Sequence, residues 1–294
     1  MTEFPLVSIL IANYNNGRFI TETLESVVGQ SYPNIEIVIV DDGSTDDSLQ
    51  VIDNFMASHH KQQIKLFKNQ DNKGCGRIKR QCIENSEGKF FCFVDPDDTV
   101  VPEAVSTLMD VFMNHPELGL VYSTHFLCNE RLEPLTVSTY SGPIPQGQSH
   151  LTSQGGHISH FVLCNRMVYN KTTGINPLYF VAEDQDLYVK MEERAPVYYV
   201  DKPLYFYRKH DSNSSWNEAK AFTNFYWKYI CEKAAYQRRK KSGGSIDNLS
   251  RHEMNRKTFS FYLRLGKECW KKKNYCSACV AFLKMIPYSY VKLF

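Results

Sequence analysis

The chain has 294 residues, of which 43% are hydrophobic and 22% are charged, a composition typical of a globular protein and not of a disordered or fibrous one. No apolar run reaches the roughly 18 residues of a membrane-spanning helix, and residues 1–10 lack the basic and apolar segments of a signal peptide, so we expect neither feature. The nine cysteines are an odd number without an export signal, which indicates reduced thiols in a cytoplasmic protein.

Apolar runs and segments of helical period alternate along the first part of the chain. The predicted strands are residues 6–12, 35–40, 64–67 and 90–94, and the predicted helices are residues 19–28, 48–58, 71–85 and 102–114. This alternation predicts an α/β fold with a largely parallel sheet and right-handed crossovers. A strand at 118–128 follows, and then an irregular stretch, 129–156, which we expect to be a mobile loop.

Three carboxylates, Asp95, Asp97 and Asp98, directly follow the buried strand at 90–94. Burying unpaired carboxylates is costly, so these side chains should lie where the strand leaves the sheet, the edge at which ligands bind in open α/β sheets. Carboxylate oxygens suit Mg²⁺ or Mn²⁺, which commonly bridge to substrate phosphates. The cluster therefore predicts a metal–diphosphate site, with a solvated acidic turn as the alternative.

Polar and aromatic side chains also follow the first two strands. Tyr14 comes after the first strand and could stack on a base, and Asp42 comes after the second and could accept the N3–H of uracil. Neither GxGxxG nor a P-loop is present, so a nucleotide would be bound without a glycine-rich loop. A surface or core role for Tyr14 and a turn role for Asp42 remain the alternatives.

The later part of the chain contains a second acidic cluster and a basic end. Residues 183–186 open a predicted helix, where carboxylates also interact favourably with the helix dipole. Strands are predicted at 197–200 and 204–207. From residue 216 onward the chain is helical, with 17 Lys and Arg against 5 Asp and Glu, whereas residues 1–215 hold 17 against 27. This asymmetry predicts an anionic partner for the basic end.

Six segments in this order resemble those of family 2 glycosyltransferases, which have the GT-A fold. The segments are residues 7–15, 30–36, 40–46, 72–74, 95–98 and 183–187, and the resemblance covers about residues 5–215. It implies a Rossmann-like, mostly parallel central sheet flanked by helices, here with an α-helical C-terminal extension. It also implies inverting, metal-dependent transfer of a sugar from a nucleotide diphosphate, most often UDP, as in the hexosyltransferases.

The resemblance implies roles for individual residues. The donor-binding residues would be Ala12, Tyr14, Asp42, Arg77, Lys79, Asp95 and Asp97, and Mn²⁺ or Mg²⁺ would be held by Asp98, Asp97 and His210. Asp184 would be the general base, and Glu183, His160 and Arg166 would lie on the acceptor side. Which cation after residue 74 meets the donor stays open.

The same reading divides the chain into a nucleotide-sugar-binding half (1–100), an acceptor-binding half (101–215) and a basic helical region (216–294). Gly266, Ala278 and Phe282 in the last region resemble one tetratricopeptide-like helical hairpin. That region could pack on the catalytic domain, on a second chain in a homodimer, or on an anionic membrane. No recognised nucleic-acid module accompanies the charge, so we expect no nucleic acid as a partner.

The predicted function is transfer from a UDP-sugar to a hydroxyl of a glycan acceptor, which could be lipid-linked, in the assembly of a surface polysaccharide such as O-antigen, capsule or exopolysaccharide. The enzyme would be cytoplasmic or associated with the inner face of the membrane. A sugar nucleotidyltransferase is one alternative, although it normally needs a glycine-rich triphosphate loop. A non-catalytic nucleotide- or glycan-binding protein with the same fold is another.

Overall fold

The computed structural model describes residues 4–153, 155–211, 221–243 and 246–288. Its strands are β1 (Val7–Asn13), β2 (Ile35–Asp41), β3 (Ile64–Lys68), β4 (Phe90–Phe93), β5 (Thr99–Val100), β6 (Leu120–Cys128), β7 (Pro134–Val137), β8 (Val162–Asn165) and β9 (Val197–Arg208). Its helices are α1 (Ile20–Val28), α2 (Ser48–Ser58), α3 (Cys75–Glu84), α4 (Ala104–Asn114), α5 (Arg166–Tyr169), α6 (Glu183–Glu192), α7 (Ala221–Ser242), α8 (Arg251–Lys271) and α9 (Tyr275–Met285). The start of the predicted basic region, at 216–220, lies outside the described residues.

The described strands form one mixed sheet in the order β3-β2-β1-β4-β8-β6-β9-β5. Strand β7 stands outside this order and pairs with β6. The first four strands of that order are parallel, as the sequence predicts. The second half differs from the prediction, because β8 is antiparallel to both β4 and β6 and β5 is antiparallel to β9. The two strands predicted at 197–200 and 204–207 are one continuous strand, β9, with a register shift.

Side chains of the parallel strands alternate between two apolar layers. In β1, Ile9 and Ile11 pack with α1, α2 and α4 on one face, and Leu10 packs with α3 and α6 on the other. All three side chains are fully buried, which explains why the sequence of β1 is an unbroken apolar run. Burying each such side chain contributes about 1.5–3 kcal/mol, so the sheet is held from both faces.

Described parts of the segment 129–156, which the sequence predicts to be irregular, contact the body of the protein. Part of it forms β7, and Tyr122 in β6 donates a hydrogen bond to the Gly142 carbonyl at 2.7 Å. Farther along, Ser149 donates to the Asp247 carbonyl at 3.0 Å. Local periodicity does not register these contacts, because they join residues that are distant in sequence.

Helix α7 is docked on α6 by buried arginine. Arg239 is 5% exposed, and its guanidinium donates to Glu192 at 2.8 Å, to Glu193 at 3.3 Å and to Ser149 at 2.7 Å. Arg238 adds a second ion pair to Glu193 at 3.0 Å. Losing one partner of a buried pair typically costs about 3–5 kcal/mol, so two of the charges in the basic region serve to attach it to the body.

The end of the described chain forms a helical hairpin of α8 and α9. Gly266 lies so close to α9 that a Cβ atom at this position would be 2.5 Å from the Phe282 ring, and Ala278 is fully buried. This is the close packing that the sequence spacing predicts for one tetratricopeptide-like hairpin. No helix within the described ranges is both long enough and apolar enough to cross a membrane.

Candidate functional site

A cleft of about 420 Å³ lies at the carboxyl ends of β1, β2 and β4. Because these strands are parallel, the polar residues that follow each of them meet at one edge of the sheet. The residues of the cleft that the sequence analysis singled out are Ala12, Tyr14, Asp42, Lys79, Asp95, Asp97, Asp98, His160, Glu183 and Asp184.

Asp42 and Tyr14 form the end of the cleft beside β1 and β2. One oxygen of Asp42 accepts hydrogen bonds from the backbone N–H groups of Lys73 and Gly74, both at 2.9 Å, and the other accepts from the Asn69 side chain at 3.1 Å. Gly74 has a φ of 88°, a conformation that favours glycine. Asp42 therefore holds the turn before α3 in place, while Tyr14, which is 43% exposed, presents a ring at the mouth of the cleft.

Lys79 is the cation that reaches the cleft. Its ammonium lies 2.8 Å from Glu183 and 3.8 Å from Asp95, whereas the side chain of Arg77 is exposed and does not line the cleft. Burial alone would lower the pKa of Lys79, but the adjacent carboxylates outweigh this and raise the pKa well above its ordinary value. Lys79 is therefore charged at neutral pH and neutralises Glu183, whose pKa it lowers against the opposing effect of burial.

Asp98 lies at the floor of the cleft and is 1% exposed. One of its oxygens accepts from the Tyr205 hydroxyl at 2.7 Å, and the other accepts from the Arg208 backbone N–H at 2.7 Å. Burial, with the charges of Asp97 and Asp95 nearby, raises the pKa of Asp98 well above its ordinary value. Both of its oxygens thus help to join the acidic turn to β9, and the metal-ligand role that the family resemblance implies for Asp98 stays a prediction.

Asp97 and His210 converge beside this turn. The Oδ2 atom of Asp97 and the Nε2 atom of His210 are 2.9 Å apart. Arg208 supports them from below: its guanidinium donates to the Asp97 carbonyl and to Glu22, both at 2.7 Å, and lies 4.7 Å from the centre of the Phe19 ring. Sequence reasoning did not single out Arg208, although an arginine in a buried strand is a signal that it has partners.

The Asp97–His210 pair has the chemistry of a divalent-metal site that a substrate completes. A carboxylate suits Mg²⁺ and Mn²⁺, and an imidazole nitrogen is a better ligand for Mn²⁺ than for the harder Mg²⁺. No group of three or more His, Cys, Asp or Glu side chains that could hold a metal occurs in the part of the chain that the structure describes. Two protein ligands fit a metal that takes its remaining ligands from water and a diphosphate.

Asp184 is the second residue of α6, which begins at Glu183 directly after Ala182, whose φ of 62° turns the chain into the helix. Its Oδ1 atom accepts the Gln185 backbone N–H at 2.7 Å, and its Oδ2 atom has no hydrogen-bond partner within the described residues. Burial and the neighbouring Glu183 raise the pKa of Asp184. A carboxylate with one unoccupied oxygen and a raised pKa, facing a cleft, is suited to accept a proton.

The two other residues predicted on the acceptor side are placed differently from each other. His160 lines the cleft and stacks on the rings of Tyr205 and Tyr207, at 5.2 and 5.3 Å. Arg166 instead lies at the amino end of β4, where it donates to the Ile83 carbonyl and to the Ser86 hydroxyl. The structure therefore does not bring Arg166 to the cleft, because β8 runs antiparallel to β4.

The cleft also contains an aromatic residue that the sequence analysis did not consider. Phe180 is 61% exposed, lines the cleft, and lies against Gly74. An exposed aromatic just before an acidic cluster is the signal that could have indicated it.

Comparison with known proteins identifies the family. Residues 8–172 match the family model described as "Glycosyl transferase family 2". The chain is 32% identical to chondroitin synthase of Escherichia coli over 211 residues, and 27% identical to hyaluronan synthase of Pasteurella multocida over 214 residues. Each match covers 72% of this chain but only 30% and 21% of the relative, so the chain spans less than a third of the length of these relatives.

Solved structures share the fold at low sequence identity. S. aureus TarS 1-349 in complex with UDP-GlcNAc aligns with a TM-score of 0.60 at 18% identity, over 94% of this chain and 90% of that chain. The mannosyltransferase PcManGT from Pyrobaculum calidifontis, in complex with GDP-Man and Mn²⁺, aligns with a TM-score of 0.63 at 14% identity, over 99% and 79%. The fold is GT-A with a helical C-terminal extension, and the chain belongs to glycosyl transferase family 2.

Proposed function

We propose that this protein is an inverting, metal-assisted glycosyltransferase that moves a sugar from a UDP-sugar to a hydroxyl of a glycan. The observation that carries the proposal is that one cleft contains four features. They are the exposed ring of Tyr14, the charged Lys79, the acidic turn at 95–98, and the Asp184 carboxylate with one oxygen that accepts no hydrogen bond from the described residues. Tyr14 and Asp42 would bind the uracil end of the donor. Asp95 and Lys79 would bind the ribose and diphosphate side.

Asp184 would act as the general base. In an inverting transfer the acceptor oxygen attacks C1 of the donor sugar from the face opposite the diphosphate, and the C1–O bond to the diphosphate breaks as the new bond forms. The acceptor hydroxyl must lose its proton in this step, and the Oδ2 atom of Asp184 would take it. Its raised pKa makes Asp184 a stronger base than an ordinary carboxylate.

The leaving diphosphate needs positive charge beside it. Asp97 and His210 would hold Mn²⁺ or Mg²⁺, and the bound metal supplies charge neutralisation for the departing UDP. Arg208 keeps the Asp97 backbone in place through its hydrogen bond to the carbonyl. We propose Asp97 as the carboxylate ligand because it lines the cleft and lies 2.9 Å from His210, whereas Asp98 is 1% exposed and joins the acidic turn to β9.

The named relatives support a role in polysaccharide assembly, since two of them are called chondroitin synthase and hyaluronan synthase. We propose a glycan acceptor on this basis. Four features remain predictions: a lipid-linked acceptor, a cytoplasmic location, contact with the inner face of the membrane, and a homodimer. The buried ion pairs of Arg238 and Arg239 favour packing of the basic region on the catalytic body.

Calorimetry with UDP, GDP and CDP, each with and without Mn²⁺, tests the donor assignment. We expect Mn²⁺-dependent binding that is selective for UDP, followed by slow release of UDP from one member of a panel of UDP-sugars when water replaces the acceptor. Binding of UDP without turnover of any UDP-sugar, with or without glycan acceptors, would instead favour the non-catalytic binding protein. Absence of nucleotide binding in every condition would contradict the proposal.

A further inference from the structure

A second pocket lies between the GT-A body and helices α7 and α8. The residues that line it include Tyr140, His150, His157, Gln185, Lys228 and Cys231. The pocket adjoins the catalytic cleft, because Gln185 is the residue after Asp184. The thiol of Cys231 in the pocket wall donates to the carbonyl of Ala182 in the cleft wall at 3.4 Å. Burial is the main reason that the pKa of Tyr140 is raised, and the Asp184 carboxylate adds to this rise.

The pocket presents a positive charge that is not neutralised within it. Lys228 forms no ion pair with any of the residues that the structure describes, whereas Lys257 is paired with Glu232 at 2.9 Å. Lys228 shares the pocket wall with His150 and His157. The pKa of His150 is lowered to about 4 and the pKa of His157 is also lowered, in both cases mainly by burial and in smaller part by the charge of Lys228. The pocket therefore combines one unpaired ammonium with two neutral imidazoles.

The two histidines have different roles. His150 accepts the Ile158 backbone N–H at its Nδ1 atom, so its Nε2–H donates to Gln185 at 2.9 Å and the ring is held rigidly. The ring nitrogens of His157 have no hydrogen-bond partner within the described ranges, and its ring packs on Tyr140 at 4.7 Å. His157 can therefore hydrogen-bond to a ligand while it supports the Tyr140 ring.

Tyr140 provides a surface that fits a sugar. The residue is 46% exposed at the pocket, and its ring is backed by His157. The apolar C–H face of a pyranose packs on such a ring, and the polar edge of the sugar then points to the surrounding donors and acceptors.

The basic extension is attached firmly enough to keep Lys228 in position. Arg239, on the same helix, is bound to carboxylates of α6 and to Ser149. Leu151, from the segment that contains His150, packs in the apolar cluster of α7 and α8. The pocket wall is thus built jointly by the body and the extension, and its charge is placed by buried contacts.

We propose that this pocket binds an acidic group of the acceptor, a carboxylate or a phosphate, so that the enzyme selects anionic glycans. Lys228 binds the anion, His157 donates a hydrogen bond to the same sugar, and Tyr140 packs on the ring next to the hydroxyl that Asp184 deprotonates. This inference rests on the proposed function, since it names the acceptor class of that site. It also gives the extension a role in substrate selection.

The test compares binding of three oligosaccharide probes of equal length in the presence of UDP and Mn²⁺. One alternates hexuronate and hexosamine, one is an N-acetylhexosamine oligomer joined by phosphodiesters, and one is a neutral N-acetylhexosamine oligomer. Each is titrated against wild type, Lys228→Gln and Lys240→Gln. Lys240 is an exposed lysine on the same helix that does not line the pocket, so it is the matched control for loss of one charge.

We expect one anionic probe to bind wild type and to bind about tenfold more weakly to Lys228→Gln, the loss of one charge-assisted hydrogen bond. Lys240→Gln should stay within about twofold of wild type, because an exposed charge outside the pocket is screened. The stronger of the two anionic probes identifies carboxylate or phosphate as the natural group. In transfer assays with the active UDP-sugar, the preference for that probe over the neutral one should fall in Lys228→Gln.

Equal binding of anionic and neutral probes would overturn the inference, and so would equal losses in the two lysine variants. UDP release from the donor in the absence of acceptor is measured in parallel on wild type. If UDP release is present and the anionic preference is absent, only the acceptor inference fails. If UDP is neither bound nor released, the proposed function itself fails.

Discussion

Replacing Asp184 by Asn should separate catalysis from folding, because the two depend on different properties of this side chain. The Asn Oδ1 atom can still accept the Gln185 backbone N–H that Asp184 accepts at 2.7 Å, so the start of α6 should keep its shape. The amide cannot take a proton from an acceptor hydroxyl. We therefore expect UDP binding to remain and sugar transfer to be lost.

The size of the catalytic loss follows from general-base catalysis, which typically contributes about 10²–10⁴-fold. This corresponds to about 3–5 kcal/mol of transition-state stabilisation. Whereas the transfer rate falls in Asp184→Asn, its thermal stability should increase. A raised pKa in the folded state means that ionised Asp184 is less favourable in the folded chain than in the unfolded chain at neutral pH, so removing its charge should raise Tm.

Asp186, in the same helical turn, is the matched control. It is 2% exposed and lies 2.6 Å from the Lys190 ammonium, so Asp186→Asn breaks a buried ion pair and should cost about 3–5 kcal/mol. Thermal unfolding and transfer rates are measured for both variants. Turnover at more than about a tenth of the wild-type rate in Asp184→Asn, or a Tm that falls in both variants, would refute the reasoning.

Three further predictions follow from the cleft. Asp97→Asn should weaken Mn²⁺-stimulated UDP binding at least about tenfold. Asp98→Asn should keep the stimulation by Mn²⁺, because the Asp98 oxygens accept hydrogen bonds from protein donors. Calorimetry that shows the reverse would contradict the metal assignment. Transfer kcat/KM should fall as the pH is lowered through the raised pKa of Asp184, and an acid limb at or below the ordinary Asp value of about 3.9 would argue against this base. Gly76→Ala would place a Cβ atom 2.5 Å from two backbone carbonyl oxygens of the segment that leads to α6. Chemical denaturation should therefore show a free energy of unfolding that is lower by about 1–3 kcal/mol, and transfer activity should also fall. Gly29→Ala, whose Cβ atom would be 3.1 Å from a carbonyl oxygen far from the cleft, is its control and should change stability less.

The parallel half of the fold could be predicted from sequence because its signals are local. The apolar runs of β1, β2 and β4 are buried on both faces, and each is followed within a few residues by the polar side chains of the cleft. Parallel pairing places those ends at one edge, so three separate sequence segments predict one site. The bounds of α2, residues 48–58, agree with the structure for the same reason.

The antiparallel half could not be predicted in this way. Strand β8 has only four residues, and its partners β4 and β6 lie far from it in sequence. Without that strand, Arg166 could be taken for a cleft residue, whereas β8 carries it to the opposite end of β4.

The amino-acid sequence by itself determined the family, the parallel sheet and the set of acidic residues at its edge, because these depend on short apolar runs and on the turns that end them. Only the tertiary structure decided what each carboxylate is available to do. Asp98 is joined to β9 because Tyr205 and Arg208, more than 100 residues later in the chain, donate to it. Likewise, the sequence does not reveal that Arg238 and Arg239 differ in role from the solvent-exposed lysines beside them. These two arginines attach α7 to the body because α6 presents carboxylates opposite them. Such assignments depend on pairings across the fold, which local sequence patterns do not encode.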